Sequence, residues 1–273
     1  MQISTRDLFH RAWTSVPGSL RARLLPHILG GIQEVDKFRF GLPTMDGLLR
    51  NAAANGFAPG TIVDIGANVG DWSRMASSIF PAAHIFMIEG NPDHSDRLRA
   101  AQSDIRGKSD YAIAVLGPED RGEVNFHIVG PRSVAAGSGV LPELTTFDKT
   151  TVKLPMRTLD GLVDRSWNGR PVELPVLMKL DVQGFELEVL RGGSKLLSKA
   201  ELVILETALI SYNAGGALFA EVIQFMANNG FVTYDFCGQF RRQTDSALFQ
   251  TDVAFVKIDS DLRRPRKFWL NEP

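Results

Sequence analysis

Apolar residues along this chain gather in short runs parted by polar, glycine- and proline-rich segments, and the runs alternate between a strand and a helix period. Thr61–Ile65 and His84–Ile88 are compact and rich in β-branched residues, the pattern of buried strands. Between them, Asp71–Phe80 carries helical spacing, and beyond Asn91-Pro92 the stretch Asp93–Gln102 predicts a second helix. Tyr111–Val115, Glu123–Val129 and Thr151–Arg157 read as strands, with a turn over Gly117–Gly122, and Thr158–Trp167 reads as a helix. Leu174–Leu180 and Leu202–Leu205 predict further buried strands around a helix, Glu186–Leu197, that Gly192-Gly193 interrupts. Phe219–Asn228 is helical with Gly230 as its stop, and Phe231–Phe236 pairs with Asp252–Ile258 as a hairpin across Gly238–Gln250. Strand–helix alternation ending in a hairpin predicts an α/β domain built on a mainly parallel sheet with one antiparallel edge strand.

The pattern before Thr61 differs. Leu8, Trp13, Val16, Leu20, Leu24, Leu25 and Ile28 lie at roughly helical spacing, broken at Pro17-Gly18 and Pro26, and Met45–Asn55 is helical again. Residues 1–60 are therefore expected to form an N-terminal helical appendage, with one domain over 61–273. Such helices ordinarily pack on their own domain. They could also cover a substrate site, pair in a homodimer or make peripheral contact with a membrane. Residues 130–147 form a long Gly/Ser/Pro-rich loop, of a length that belongs either to functional lids or to surface disorder.

Composition narrows the function. The chain has 273 residues, 44% of them hydrophobic, and a formal charge of −1, so it has no general attraction for nucleic acid. The lone Cys237 rules out an internal disulfide framework and a cysteine-paired zinc site, and fits a reducing cytoplasm. Arg6, Arg11, Arg21 and Arg23 break up the N-terminal apolar residues, leaving no pattern of a secretory signal or a transmembrane helix.

Candidate chemistry lies where the strands end. The run Val63-Asp-Ile-Gly-Ala-Asn-Val-Gly-Asp-Trp72 passes from a strand through a glycine-containing turn into a helix, so a ligand can approach bare backbone. Glu89 closes the next strand 19 positions after Gly70, where an acid can accept hydrogen bonds from a ribose diol. A dinucleotide fingerprint starting at Gly66 needs glycines where Asn68 and Asp71 stand, and no Gly-Lys-Ser/Thr phosphate loop is present. Asp64 would repel a phosphate but suits a cationic amino-acid moiety, which favours S-adenosylmethionine as cofactor. The candidate cofactor set is Asp64, Gly66, Ala67, Asn68, Gly70, Trp72, Glu89, Gly90, Asn91, Ala114 and Asp181. Asp64, Glu89, Asp181 and Glu206 all end predicted strands, so they converge on one crevice, the last two on its substrate half. Glu186, in a first helical turn, has the simpler role of complementing the helix dipole.

The stretches Asp64-Ile-Gly-Ala-Asn-Val-Gly-Asp-Trp-Ser73, Glu89-Gly-Asn-Pro92 and Leu180-Asp-Val-Gln-Gly-Phe-Glu-Leu-Glu-Val-Leu-Arg-Gly-Gly193 together resemble the FkbM family of S-adenosylmethionine-dependent methyltransferases, from about Thr61 to Ile258. The resemblance implies a Rossmann-like, seven-stranded sheet and methyl transfer, usually to a hydroxyl oxygen of a sugar or secondary metabolite. One departure stands out: Gln183 occupies a position where the family pattern often has Glu.

The reaction needs an oxygen aligned behind an activated methyl carbon and a group to take its proton. Asp181 is the first candidate for that base and Glu206 the second, with His127 and His94 as further possibilities. Asp181, Glu206 and Glu186 could instead gather Mg²⁺, although no dedicated metal signature exists and no metal is expected. The leading expectation is a metal-independent O-methyltransferase acting on a sugar hydroxyl of a glycan, glycolipid or glycosylated natural product. The alternatives are a small non-sugar acceptor such as a polyketide, separated by an enclosed rather than open acceptor site, and a non-catalytic cofactor-binding scaffold. The cluster Arg263-Arg-Pro-Arg-Lys-Phe-Trp269 could bind an anion, a membrane or a partner, or simply be a solvated tail.

Overall fold

The computed structural model describes residues 44–105, 108–130, 137–167 and 170–264. The expectations for the helices before residue 44, for the centre of the 130–147 loop and for the tail from residue 265 lie outside the described residues.

Helix α1 (Met45–Ala54) starts at Thr44, whose side chain accepts the Gly47 N–H. It leads into strand β1 (Thr61–Ile65), which is followed by α2 (Asp71–Ile79), β2 (His84–Glu89), α3 (Ser95–Asp104) and β3 (Ser109–Ile113). Short strand β4 (Val115–Leu116), β5 (Arg121–Val129) and β6 (Lys149–Arg157) come next, then α4 (Leu159–Ser166) and β7 (Val176–Leu180). The chain ends with α5 (Glu186–Arg191), α6 (Ser194–Lys199), β8 (Ala200–Ala208), α7 (Phe219–Asn228), β9 (Phe231–Arg241) and β10 (Leu248–Lys257).

Seven strands form one sheet in the order β3-β2-β1-β7-β8-β10-β9. Pairing is parallel from β3 to β8; the one reversed strand is β10, which runs against both β8 and the edge strand β9, so the antiparallel pairing lies at this edge and β9 again runs with the parallel strands. This is the expected Rossmann-like α/β sheet. All five residues of β1 and of β7 are buried, which explains why these segments read as continuous apolar runs rather than alternating ones.

The two faces carry separate cores. Val63, Ile65, Phe86, Met178, Leu180, Val203 and Leu205 pack with Leu159, Trp167, Leu190 and Met226. Ile62, Ile85, Met87, Leu177, Leu202 and Ile204 pack on the other face with Leu48, Leu49 and Ala52 of α1 and Ala76 and Leu98 of α2 and α3. The helix grouped with residues 1–60 by its sequence pattern thus supplies part of the sheet's second core.

The third predicted strand differs from its sequence expectation. It divides: Ala114 N–H makes the last bond to the Glu89 carbonyl at 2.8 Å, and the chain then enters a separate three-stranded sheet, β4-β6-β5. The helical stretch Glu186–Leu197 is interrupted at Gly192-Gly193 as expected, giving α5 and α6, and a Cβ on Gly192 would stand 2.1 Å from the Gly117 carbonyl oxygen.

Candidate active site

In the large sheet the strand order reverses between β1 and β7, whose Ile65 and Leu180 are in register, and a crevice opens beyond their carboxyl ends. The two chain exits almost touch. Asp181 N–H donates to the Ile65 carbonyl at 3.0 Å. A Cβ on Gly66 would stand 1.8 Å from the Asp181 carbonyl oxygen, and its φ of +74° is left-handed, so only glycine fits. Asn68, with φ of 50°, turns its N–H toward Glu89 and donates to Oε2 at 2.7 Å, while Asn91 N–H donates to Oε1 at 2.7 Å. Burial pushes the Glu89 carboxyl above its ordinary value, against these two hydrogen bonds. Each oxygen keeps a further lone pair for a ligand hydroxyl.

The resulting cleft has a polar and an apolar side. Gly66, Asn68, Glu89, His94 and Asp181 form the first; Ile88, Val115, Leu116, Phe126 and Phe185 form the second. Phe126 arrives from the small sheet and its ring would be 2.7 Å from a Cβ on Gly90, so the bare backbone there lets an aromatic wall close on the cleft.

Beneath the crevice lies a row of charges on one face of the sheet. Asp64 and Lys179 are register partners on β1 and β7, both buried. The Lys179 ammonium stands 3.6 Å from Asp64, 3.4 Å from Asp181 and 3.3 Å from the Gly66 carbonyl, and Ser73 donates to Asp64 at 2.7 Å. Burial alone would lower the Lys179 pKa, but Asp181, Asp64, Glu206 and Asp252 drive it well above the usual range, so it stays charged. Burial raises Asp64 in spite of Lys179. On β8 and β10, Glu206 and Asp252 face each other in register. Burial and the neighbouring Asp181, Glu186 and Asp252 raise Glu206 well above the carboxylate range, and burial pushes Asp252 up to about 6. The Gln183 amide donates to Asp181 Oδ1 at 2.8 Å and to Glu206 Oε1 at 3.1 Å, and Gln250 donates to the same Glu206 oxygen at 2.8 Å.

The sequence candidates divide between cleft and support. Gly66, Asn68, Glu89, Gly90, Ala114 and Asp181 line the cleft. Asp64 does not: it is wholly buried against Ser73 and Lys179. Ala67 is buried with its N–H on the Ile88 carbonyl, Gly70 precedes α2, and Asn91 caps the turn through Asp93 N–H. Trp72 points its indole N–H at the Met45 sulfur on α1. Glu206 lies behind Asp181, bridged to it by Gln183. Glu186 accepts the N–H groups of Val182 and Gly184, and its burial raises it to about 7. His94 lines the cleft, whereas His127 sits on β5 with Nδ1 3.0 Å from the Thr151 hydroxyl. Among the described residues, no group of three or more His, Cys, Asp or Glu forms a metal-binding cluster.

Lys179, Gln250, Asp252 and Phe126 were not singled out from sequence. A charged residue inside the apolar run Leu174–Leu180 was a usable signal for Lys179, because a buried lysine needs an acid, and Asp64 interrupts the neighbouring strand likewise. Nothing in the sequence places Phe126 against Gly90.

Residues 64–233 match the methyltransferase FkbM domain. The chain is 30% identical over 149 residues to the hexuronic acid methyltransferase AglP of Haloferax volcanii, covering 52% of this chain and 54% of that protein, so it spans about half the length of that relative. Among solved structures, magnesium protoporphyrin IX methyltransferase from Synechocystis is similar at 13% identity, with a TM-score of 0.43 and coverage of 94% and 99% of the two chains. Precorrin-6y C5,15-methyltransferase from Geobacter metallireducens is similar at 13% identity, with a TM-score of 0.43 and coverage of 80% and 90%. The family match spans well over half the chain, and it includes the glycine turn, Glu89 and the Asp181 strand end: this protein belongs to the FkbM family of S-adenosylmethionine-dependent methyltransferases.

Proposed function

We propose that this protein is an O-methyltransferase acting on a sugar hydroxyl of a glycan, glycolipid or glycosylated natural product. S-adenosylmethionine supplies a methyl group already activated on a sulfonium. The residues of the cleft fit that donor: the Glu89 carboxylate offers lone pairs to a ribose diol, Ile88, Phe126 and Phe185 suit an adenine ring, and the backbone around Gly66 and Asn68 accepts the remainder. Asp64 is assigned to hold the loop through Ser73 and Lys179 rather than to touch the donor.

The reading rests chiefly on Asp181. Its carboxylate lines the cleft, is 34% exposed, and is held from behind by Lys179 and Gln183. A carboxylate so fixed can accept the acceptor's hydroxyl proton as the oxygen attacks the methyl carbon, general-base help of about 10²–10⁴-fold. Glu206 is the reserve acid behind it. A sugar acceptor is supported by the hexuronic acid that the similar Haloferax volcanii enzyme is named for, and by an open groove that shares Val140 and Phe185 with the cleft.

The test is methyl transfer from S-adenosylmethionine to D-glucuronic acid and to glycosylated acceptors, followed by mass spectrometry, alongside calorimetric binding of S-adenosylhomocysteine. Asp181→Asn is expected to lower turnover at least about 100-fold with donor affinity nearly kept. Turnover equal to the wild type would remove Asp181 as base. Transfer to polyketide hydroxyls alone would replace the sugar reading, and donor binding with no transfer to any acceptor would leave a scaffold.

A further inference from the structure

We propose that Gln183 is the positioning residue of this site: its side-chain amide, donating to the Asp181 and Glu206 carboxyls at once, holds Asp181 in the orientation that takes the acceptor proton. The inference deepens the proposed function and rests on Asp181 as base.

Three observations meet at this side chain. Gln183 is 8% exposed, so its amide works away from bulk water. Its backbone is left-handed, φ 59°, a conformation that side-chain-bearing residues rarely adopt. That turn, closed by Glu186 accepting the N–H groups of Val182 and Gly184, brings Nε2 between the ends of β7 and β8. Two hydrogens on one nitrogen then satisfy two acids, 2.8 Å from Asp181 Oδ1 and 3.1 Å from Glu206 Oε1.

A glutamate at 183 would not do the same. Ionised, it donates nothing and sets a further carboxylate against Asp181 and Glu206; protonated, it has a single hydrogen for two acceptors. The amide therefore defines a frame in which one oxygen of each carboxyl is tied. Asp181 Oδ2 faces Lys179 at 3.4 Å, and Glu206 Oε1 also receives Gln250 at 2.8 Å. The titratable groups facing the pair are Lys179 on β7, Asp64 on β1, Glu89 at the end of β2, Glu186 on α5, Asp252 on β10 and Tyr212 after β8. Lys179 is the single cation among them, so a further anion at 183 would lack a counter-charge of its own. Gln183 is then no sign of lost catalysis.

The test uses the full chain and three variants. Gln183→Met removes both hydrogens at similar volume; Gln183→Asn keeps an amide and tolerates the left-handed backbone, but is one methylene short; Gln183→Glu adds charge. Methyl transfer to D-glucuronic acid is measured against pH. In parallel, the Glu206 carboxyl carbon, ¹³C-labelled and assigned with Glu206→Gln, is titrated by NMR. Gln183→Met and Gln183→Asn are expected to lower kcat about 10- to 100-fold with the KM for S-adenosylmethionine within about twofold. Gln183→Glu is expected to move the acid limb of the rate profile and the Glu206 midpoint up by about one pH unit or more, because a new carboxylate beside the two acids disfavours their charged forms. A merely structural role would lower rate at every pH and leave limb and midpoint in place; that result overturns the proposal. Should Asp181→Asn also transfer as well as the wild type, the proposed function fails instead, and an upward Glu206 midpoint in Gln183→Glu would still support the tie itself.

Discussion

Removing the charge of Lys179 tests the row of charges that underlies the site. In Lys179→Met the side-chain volume is nearly kept, but Asp64, wholly buried, loses its cation at 3.6 Å and retains only Ser73. At an effective dielectric near 20, that attraction is about 5 kcal/mol before the cost of burying both charges. Breaking a buried pair from one side typically costs about 3–5 kcal/mol, because the remaining charge is left without compensation. Asp181 is 34% exposed, so water screens its share and little is added for it. Urea unfolding at pH 7 is therefore expected to show a loss of about 3–5 kcal/mol, a midpoint lower by about 2 M for a slope of about 2 kcal/mol/M. The pH dependence gives the sharper check. Burial already raises the Asp64 pKa, and losing Lys179 raises it further. A raised folded-state pKa means that stability is held at low pH and lost as pH rises, so the deficit at pH 5 should be smaller than at pH 7. Adding Asp64→Asn to the variant should recover most of the loss. A deficit below about 1 kcal/mol at pH 7, or one equal at both pH values, would refute the reasoning.

Two further outcomes follow. Gly66→Ala forces a methyl group into the Asp181 carbonyl at a left-handed position, and should cost at least about 2 kcal/mol, read as a melting temperature lower by about 5 °C or more; an unchanged melt would contradict the close approach of the two strand ends. Glu186, raised by burial to about 7 from 4.5, favours the folded state below pH 4.5, and that contribution is lost as pH climbs through 7. Glu186→Gln should flatten the stability curve over that window by about 3 kcal/mol, and curves that run parallel would dismiss the shift.

The parallel sheet was legible because buried strands flanked by helices leave long apolar runs, and the ends of those runs named Asp64, Glu89, Asp181 and Glu206 directly. What each acid does was less visible. Asp64 and Asp181 end strands in the same way in sequence, yet their side chains meet different surroundings: Asp64 lies under α2 beside Ser73, whereas Asp181 stands past the last rung of β7, at the rim. That distinction depends on the register between β1 and β7, which no single strand encodes. Gln183 drew notice only as a departure from a pattern, since its role comes from a left-handed turn whose side chain reaches Glu206, 23 residues further along the chain. The division at Ala114 was hidden because Tyr111–Val115 is apolar throughout, and apolarity does not say which sheet a residue joins.

The aromatic wall opposite Gly90 has a consequence for how this protein can change. Phe126 belongs to the small sheet, whose strands are inserted between β3 and α4, while the backbone it presses on belongs to the large one. On the proposed function, remodelling that insertion to suit a new acceptor would shift a wall of the cleft assigned to the methyl donor. Acceptor choice and donor affinity would thus be mechanically geared to each other, and grafting another insertion into this scaffold would have to preserve an aromatic at the Phe126 position to keep the cleft's shape.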